Sequence, residues 1–147
     1  MITVASIIPS RKFRPLSTLR PVIWIVDDHA IVRKTLIDWL ESEVTYLKTE
    51  GFASAEALFG ALETRVPDLV IIDISLPGMN GIQALRTIKQ SHPTTPVMII
   101  TIHENPQYAR DAFAAGAAHF LRKDRAYSEL IPAIRRILES FETPARP

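Results

Sequence analysis

Short apolar runs alternate with segments of helical periodicity along residues 21–141, and this alternation constrains the fold more than any other feature. Five runs predict β-strands, because they are short and most are rich in β-branched residues. The strands are expected at residues 22–26, 46–52, 69–73, 96–101 and 119–121. The run at 46–52 is partly polar, which is typical of a strand at the edge of a sheet.

Each predicted strand is followed by a segment whose apolar residues recur at helical spacing. Ser54 is expected to cap the second helix, and Gly116 to end the fourth, which is predicted over residues 108–115. The last helix contains Pro132, which is tolerated in or near a first turn, so this helix is predicted to start close to Tyr127 or Ser128. Apolar stripes predict the first, second, third and last helices. In that order the stripes are Val32, Leu36, Trp39, Leu40; Ala57, Leu58, Ala61, Leu62; Ile82, Leu85, Ile88; and Leu130, Ile131, Ile134, Ile137, Leu138 and Phe141.

Five strands that alternate with five helices predict an α/β fold, a doubly wound parallel sheet with helices on both faces. Of the common doubly wound arrangements, the strand order 2-1-3-4-5 fits best. In this order the first and third strands are neighbours, and ligands bind beyond the carboxyl ends of the strands. The domain is predicted to span residues 21–141, between a basic N-terminal extension at 1–20 and a tail or linker stub at 142–147.

The composition excludes several classes of protein. The 147 residues are 47% hydrophobic and 22% charged, which is the balance of one globular domain, and no apolar run is long enough to cross a bilayer. There are 0 cysteines, so disulfides and zinc–thiolate sites are excluded, and this fits a reducing compartment. Residues 1–20 hold four of the 17 basic residues and no acid, so the rest of the chain is mildly acidic. We therefore expect no direct binding to nucleic acid.

Acidic residues end the two strands that the predicted order places side by side. Asp27 and Asp28 end the first strand, and Asp73 ends the third. An isolated pair of aspartates could simply cap the following helix. Three carboxylates at one edge of a sheet repel one another, however, and favour a hard divalent cation such as Mg²⁺ between them.

Two further residues complete this set. Thr101 ends the fourth strand and Lys123 follows the fifth. Either residue alone would be uninformative, because threonine is common in strands and most lysines are solvated. Together with the acids they predict transient phosphorylation of a carboxylate, with Asp73 as the nucleophile and with Lys123 and Thr101 as ligands of the phosphoryl oxygens. A cation on Asp28 and Asp73, with Asp27 helping through a water molecule, would neutralise the charge between the incoming phosphate and the acids.

Four segments that contain these residues resemble the receiver domain (CheY-like) of bacterial two-component response regulators, and most closely the NarL/FixJ (LuxR-type) subfamily. The segments are residues 26–29, 73–81, 101–104 and 120–124. The resemblance implies a flavodoxin-like fold and a phosphorelay function in the cytoplasm. It also implies that Asp73 is the phosphoacceptor, which is charged by a sensor histidine kinase or by a small phosphodonor.

The same resemblance implies roles for the other motif residues. Thr101 and Phe120 match the switch pair of the family, in which the hydroxyl moves toward the phosphoryl group and the aromatic ring turns inward. Phe120 stands where a tyrosine is often seen, so the switch must work by packing alone. The implied ligands of Mg²⁺ are the carboxylates of Asp27, Asp28 and Asp73 and the main-chain carbonyl of Ser75.

The resemblance also suggests partners. Receivers of this kind often form homodimers through the fourth helix, fifth strand and fifth helix, and LuxR-type relatives continue into a DNA-binding domain. The few residues after 141 cannot encode such a domain, so we expect either a stand-alone receiver or one cut from a longer regulator. We expect no direct contact with nucleic acid or membrane.

Three other functions are compatible with parts of this pattern. Haloacid-dehalogenase-type phosphatases need a second acid two residues after the nucleophile, where this chain has Ser75. A flavodoxin-like flavin binder would place phosphate beside Asp27 and Asp28, which would repel it. A receiver that serves only as a docking module would not need the complete set of acids, hydroxyl and lysine. The chain is therefore expected to catalyse its own phosphorylation and dephosphorylation only, and not to act as an enzyme on other substrates.

Overall fold

The computed structural model describes residues 20–142, so most of the predicted extension and nearly all of the tail lie outside the described residues. Five parallel strands form one sheet in the order β2-β1-β3-β4-β5, as predicted. The strands are β1 (Val22–Val26), β2 (Lys48–Phe52), β3 (Leu69–Asp73), β4 (Val97–Thr101) and β5 (His119–Arg122). The partly polar β2 lies at an edge, and every residue of β3 and β4 is buried.

Helices cover both faces of the sheet. Across residues 20–142 they are α1 (Ala30–Glu43), α2 (Ala55–Leu62), α3 (Gly81–Ser91), α4 (Pro106–Ala114) and α5 (Ala126–Glu142), with a 3₁₀ turn at Lys123–Arg125. One buried cluster joins α2, α3 and α4 to the sheet, and a second joins α1 and α5 to the opposite face. Within the described part of the chain, no helix is long and apolar enough to cross a membrane.

The strand register brings the predicted site residues to one edge of the sheet. Val26 pairs with Ile72, so Asp27 and Asp73 each follow a member of the same pair. Thr101 pairs with Arg122, and Lys123 comes next. Four segments that are distant in the sequence therefore meet at the carboxyl ends of neighbouring parallel strands, where ligand sites of this architecture form.

Element boundaries differ from the predictions where capping decides them. The fourth helix starts at Pro106, two residues before the predicted Tyr108, because the side chain of Asn105 accepts a hydrogen bond from the N–H of Gln107 and proline suits the first turn. Gly116 ends this helix as predicted, with φ of 103°. Bonds from the N–H groups of residues 116 and 117 to the carbonyls of 113 and 112 form a Schellman motif.

Pro132 corrects another prediction. It is the seventh residue of α5, so it lies beyond the first turn, and α5 begins at Ala126. A proline here removes one hydrogen bond, the one that the carbonyl of exposed Ser128 would accept. The helix continues because its apolar face is buried against the sheet, and tertiary packing supplies most of the stability of such a helix. The buried residues of that face are Leu130, Ala133, Ile134, Ile137 and Leu138.

Gly81 fixes the loop that follows the candidate nucleophile. It is the first residue of α3, whose cap Asn80 accepts hydrogen bonds from the N–H groups of Ile82 and Gln83. The N–H of Gly81 donates to the carbonyl of Ile74 at 2.9 Å. A Cβ at position 81 would overlap the main-chain oxygen of Asp73, so only glycine allows this close approach.

We therefore expect Gly81→Ala to lower the free energy of unfolding by about 1–3 kcal/mol, because the overlap is with backbone that cannot move freely. Gly60→Ala is the matched control, since a Cβ there meets open space within α2. That control should be neutral or more stable than the wild type by about 0.5–1 kcal/mol. Urea denaturation of the three proteins measures both effects, and equal effects at the two glycines would contradict the close-approach argument.

Candidate functional site

Lys123 joins the acids that end β1 and β3. Its Nζ lies 2.8 Å from Oδ2 of Asp27 and 2.8 Å from Oδ2 of Asp73. Both aspartate side chains are only 3% exposed, and that of Lys123 is 19% exposed. The structure therefore brings three of the predicted site residues into direct contact, and one ammonium is shared by two buried carboxylates.

The environment of Lys123 stabilises its charged form. Burial acts to lower the pKa of Lys123, but hydrogen bonds to Asp27 and Asp73 and their negative charges outweigh burial, so the pKa is above its ordinary value. Lys123 is therefore protonated at neutral pH. Because its pKa is higher in the folded than in the unfolded chain, its contribution to stability is complete below the unfolded pKa and is lost only as the pH rises through the folded pKa.

The acids also form a group that fits a metal ion. Ligand atoms of Asp27, Asp28, His29 and Asp73 all lie within 4.8 Å of one another. Asp28 is the accessible member, with a side chain 35% exposed. Three carboxylates against the single ammonium of Lys123 leave an excess of negative charge, and carboxylate oxygens are the donors that Mg²⁺ prefers. The donor set of the site therefore fits Mg²⁺.

Main-chain and hydroxyl groups surround the candidate nucleophile. Oδ1 of Asp73 accepts a hydrogen bond from the N–H of Ser75 at 3.1 Å. Thr101 is fully buried, and its Oγ1 accepts the N–H of His103 at 3.1 Å. Ser75, whose carbonyl is an implied metal ligand, thus lies beside the carboxylate of Asp73, and the hydroxyl of Thr101 lies at the end of the adjacent strand β4.

Phe120 lies on the same face of the sheet as Thr101. It pairs with Ile99, two residues before Thr101, and side chains two apart on a strand share a face. The ring is partly buried and packs against the cluster that includes α3 and α4. The two residues predicted as a switch pair are therefore close in the sheet, and the ring of Phe120 is only partly buried.

Two histidines, His29 and His103, lie within the motif segments, and the sequence predicts no role for either. His29 Nδ1 lies 3.3 Å from Oδ1 of Asp27 and 3.2 Å from Oδ1 of Asp28. His103 Nε2 lies 2.7 Å from Oγ of Ser75, a side chain to which sequence reasoning assigned nothing. The signal was present in the spacing, because Ser75 and His103 each follow the last residue of an adjacent strand by two positions.

Comparison with known proteins agrees with this geometry. Residues 23–135 match the family model of the response regulator receiver domain. The chain belongs to this family. The predicted fold and the resemblance to response regulator receivers are thereby confirmed.

Relatives come from more than one branch of the family. NtrC of Klebsiella pneumoniae is 34% identical over 131 residues, which cover 87% of this chain and 27% of NtrC. The response regulator GacA of Pseudomonas syringae pv. syringae is 33% identical over 117 residues, which cover 78% of this chain and 54% of GacA. A LuxR-family two-component response regulator from an Aurantimonas species has a crystal structure that superposes with a TM-score of 0.76 at 34% identity, covering 82% of this chain and 86% of that one.

The receiver therefore spans between 27% and 54% of the length of these curated relatives. The name of NtrC is that of a DNA-binding transcriptional regulator, and the name of GacA is that of a response regulator. The similar proteins include both NtrC and a LuxR-family regulator, so they support the NarL/FixJ subfamily only in part. The assignment of this chain to that subfamily stays a prediction.

The shared ammonium gives a stability test. We expect Lys123→Met to lower the free energy of unfolding by about 3 kcal/mol at neutral pH, because two buried carboxylates lose their countercharge. Lys34→Met removes the exposed pair between Lys34 and Asp38, with Nζ and Oδ2 2.6 Å apart, and should cost no more than about 0.5 kcal/mol. Urea denaturation without divalent cations measures both, and a loss at Lys123 as small as that at Lys34 would contradict this description of the site.

Proposed function

We propose that this receiver takes part in a phosphorelay and that Asp73 accepts a phosphoryl group from a sensor histidine kinase or a small phosphodonor. The observation that carries the proposal is the position of Lys123, whose Nζ lies 2.8 Å from the carboxylates of both Asp27 and Asp73. This places a protonated amine beside the candidate nucleophile, where it can bind the oxygens of an incoming phosphoryl group. The roles proposed for the other residues follow from their positions around Lys123 and Asp73.

The proposed reaction forms one bond and breaks one bond. A carboxylate oxygen of Asp73 attacks the phosphorus, and the bond between phosphorus and the donor breaks, with its electron pair leaving on the donor. The product is an acyl phosphate on Asp73. An ionised carboxylate has no proton to lose, so the reaction needs no general base. Lys123 and the hydroxyl of Thr101 bind the phosphoryl oxygens and stabilise the charge that collects on them.

Asp27, Asp28 and Asp73, with the main-chain carbonyl of Ser75, would hold Mg²⁺. When bound, this ion neutralises negative charge between the acids and the phosphoryl group. Asp28 is the most accessible of the carboxylates and is free of contact with Lys123 among the described hydrogen bonds, so it can bind a cation without breaking the lysine pair. The role of the acids is to bind and orient, while Lys123 offsets part of their charge.

Phosphorylation is proposed to act through the surface of α4, β5 and α5. The hydroxyl of Thr101 turns to donate to the phosphoryl group, and the partly buried ring of Phe120 packs further inward. On the same surface Phe113 of α4 is 52% exposed, which offers an apolar contact. The partner there is a second copy of the chain, a downstream protein or an output domain, and no direct contact with nucleic acid is proposed.

An apolar groove beside the site is the proposed docking position of the kinase. It has a volume of about 230 Å³, and its lining includes α1 residues Ile31 and Trp39, Tyr127 at the start of α5, and Lys123. Ile31 is 83% exposed and Tyr127 is 78% exposed. Because Lys123 borders both the groove and the aspartates, an apolar helix of a kinase that is seated there would bring its phosphohistidine close to Asp73. This partner implies that the receiver works in the cytoplasm.

Incubation with acetyl phosphate and Mg²⁺ tests the reaction. Wild-type protein should gain the mass of one phosphoryl group, and Asp73→Asn should gain none, because an amide oxygen is a poor nucleophile. Asp38→Asn, on the exposed face of α1, should be phosphorylated like the wild type. Intact-protein mass spectrometry measures the adduct, and an adduct that persists in Asp73→Asn would exclude Asp73 as the acceptor. Multiple turnover of a phosphomonoester by the wild type would instead favour a phosphatase.

The acidic group predicts Mg²⁺ binding that depends on Asp28. Asp28→Asn should weaken Mg²⁺ affinity by about tenfold or more, because it removes a charged oxygen donor and leaves the Lys123 contacts in place. Asp38→Asn again serves as the control and should bind as the wild type does. Tryptophan fluorescence titration, with Trp24 in β1 and Trp39 on α1, reports the affinity. Equal affinity in all three proteins would contradict the assignment of Asp28 as a ligand.

A further inference from the structure

Arg33 of α1 is bonded to the main chain at the end of β1. Its Nη1 donates a hydrogen bond to the carbonyl oxygen of Asp27 at 2.5 Å. Its aliphatic stem lies against Gly51 in the neighbouring strand β2, where a Cβ would come within 2.9 Å of Cδ of Arg33. The phosphoryl transfer proposed above does not use this guanidinium, although it contacts the backbone of one of the two buried acids.

The hydrogen bond from Arg33 holds a peptide group that two of the acids share. The carbonyl of Asp27 and the N–H of Asp28 belong to one planar unit, so a held oxygen also sets the position of the nitrogen and Cα of Asp28. The N–H of Asp27 is held separately, because it donates to the carbonyl of Phe52 in β2 at 3.0 Å. Arg33 therefore sets the direction in which the chain leaves β1 and reaches Asp28.

The side chain of Asp28 has less support of its own than that of Asp27. It is 35% exposed, and its Oδ1 contacts Nδ1 of His29, whose side chain is 66% exposed. The buried carboxylate of Asp27, by contrast, accepts hydrogen bonds from Lys123 and from the N–H of His29. The placement of Asp28 beside Asp27 thus depends mainly on its backbone, which Arg33 orients.

The charge of Arg33 and its hydrogen bond have opposite effects on a cation. A positive group beside the acids weakens their negative potential, so the charge alone lowers the affinity for Mg²⁺. A hydrogen bond that holds a ligand in place raises the affinity, because a carboxylate that is already ordered loses less freedom on binding. The sign of the change in affinity therefore shows which effect dominates when Arg33 is removed.

We propose that Arg33 is a positioning residue of the metal site, which raises Mg²⁺ affinity by orienting the peptide between Asp27 and Asp28 and hence the Asp28 carboxylate. The proposal rests on the binding of Mg²⁺ by Asp27, Asp28 and Asp73 proposed above. In this role Arg33 touches neither the ion nor the phosphoryl group and acts through the main chain. It differs in this respect from Lys123, whose ammonium contacts the carboxylates themselves.

Titration of single and double variants with Mg²⁺ tests this role. Arg33→Met keeps an unbranched stem, removes the hydrogen-bond donors and should weaken Mg²⁺ affinity by roughly three- to tenfold. Arg86→Met removes the same charge from the exposed surface of α3 and should bind as the wild type does. In the Asp28→Asn background, Arg33→Met should change the affinity by less than about twofold, because the ligand that it orients is already lost. Tryptophan fluorescence measures the affinity of each protein.

Two further measurements separate positioning from a general loss of stability. With acetyl phosphate as the donor, Arg33→Met should need roughly three- to tenfold more Mg²⁺ for its half-maximal rate, while the rate at saturating Mg²⁺ stays within about twofold of the wild type. In the metal-free protein, the N–H of His29 donates to Oδ1 of Asp27 at 2.9 Å. This N–H should exchange with solvent roughly threefold faster or more in Arg33→Met, and at the wild-type rate in Arg86→Met.

The outcomes separate this inference from the function on which it depends. If the wild type binds Mg²⁺ and Asp28→Asn weakens binding, but Arg33→Met binds as tightly as the wild type or more tightly, the positioning role is overturned and the proposed metal site stands. Additive losses in the double variant, or a lower rate at saturating Mg²⁺, overturn the role as well. If the wild type binds no Mg²⁺, both the metal site and the role of Arg33 are overturned. Weaker binding in Arg33→Met that disappears in the Asp28→Asn background supports the role.

Discussion

The contact of Lys123 with two buried carboxylates is the interaction on which the site depends. Asp27 and Asp73 lie at the ends of adjacent strands with almost no exposure to water, an arrangement that like charges strongly oppose. One ammonium at 2.8 Å from each carboxylate offsets that repulsion. The parallel sheet makes the contact possible, because its register brings the ends of β1, β3 and β5 to one edge.

The same charge balance bears on the proposed phosphorylation. Lys123 divides its hydrogen bonds between two acids, and the negative charge of Asp28 remains beside them. Under the proposed function, a cation at the acidic group would offer Asp27 another positive partner, and Lys123 would then be able to move toward a phosphoryl group on Asp73 without leaving a buried charge unpaired. The excess negative charge lowers the stability of the fold, and in the proposed function it attracts the cation.

The sequence predicted the parts of the fold that depend on hydrophobic periodicity and topology. Strands such as Leu69–Asp73 are short and continuously apolar, and the convergence of their ends on one edge follows from the strand order. Features decided by tertiary packing were less accessible. Pro132 lies well inside α5 because burial of the apolar face outweighs the lost hydrogen bond, which local propensity cannot reveal.

In the site, too, the residues placed by strand order were predicted, and the contacts that depend on loop packing were not. Asp27, Asp73, Thr101 and Lys123 were found because each ends or follows a predicted strand, and the structure places them together at one edge. The bond between Ser75 and His103 was not found, because it joins the side chains of two loops whose conformations depend on Gly81 and on the packing of Tyr108. Strand register can bring such loops near each other, but the side-chain directions within them come from their packing.

The most direct measurement of the central claim is a crystal structure of the protein with Mg²⁺ and beryllofluoride, a mimic of the phosphoryl group. The charge-balance account predicts beryllium bound to a carboxylate oxygen of Asp73, the metal on Asp27 and Asp28, and Nζ of Lys123 moved from Asp27 to a fluoride. A mimic bound at another residue, or an Asp73 that carries beryllofluoride while Lys123 still bridges the two aspartates, would contradict it.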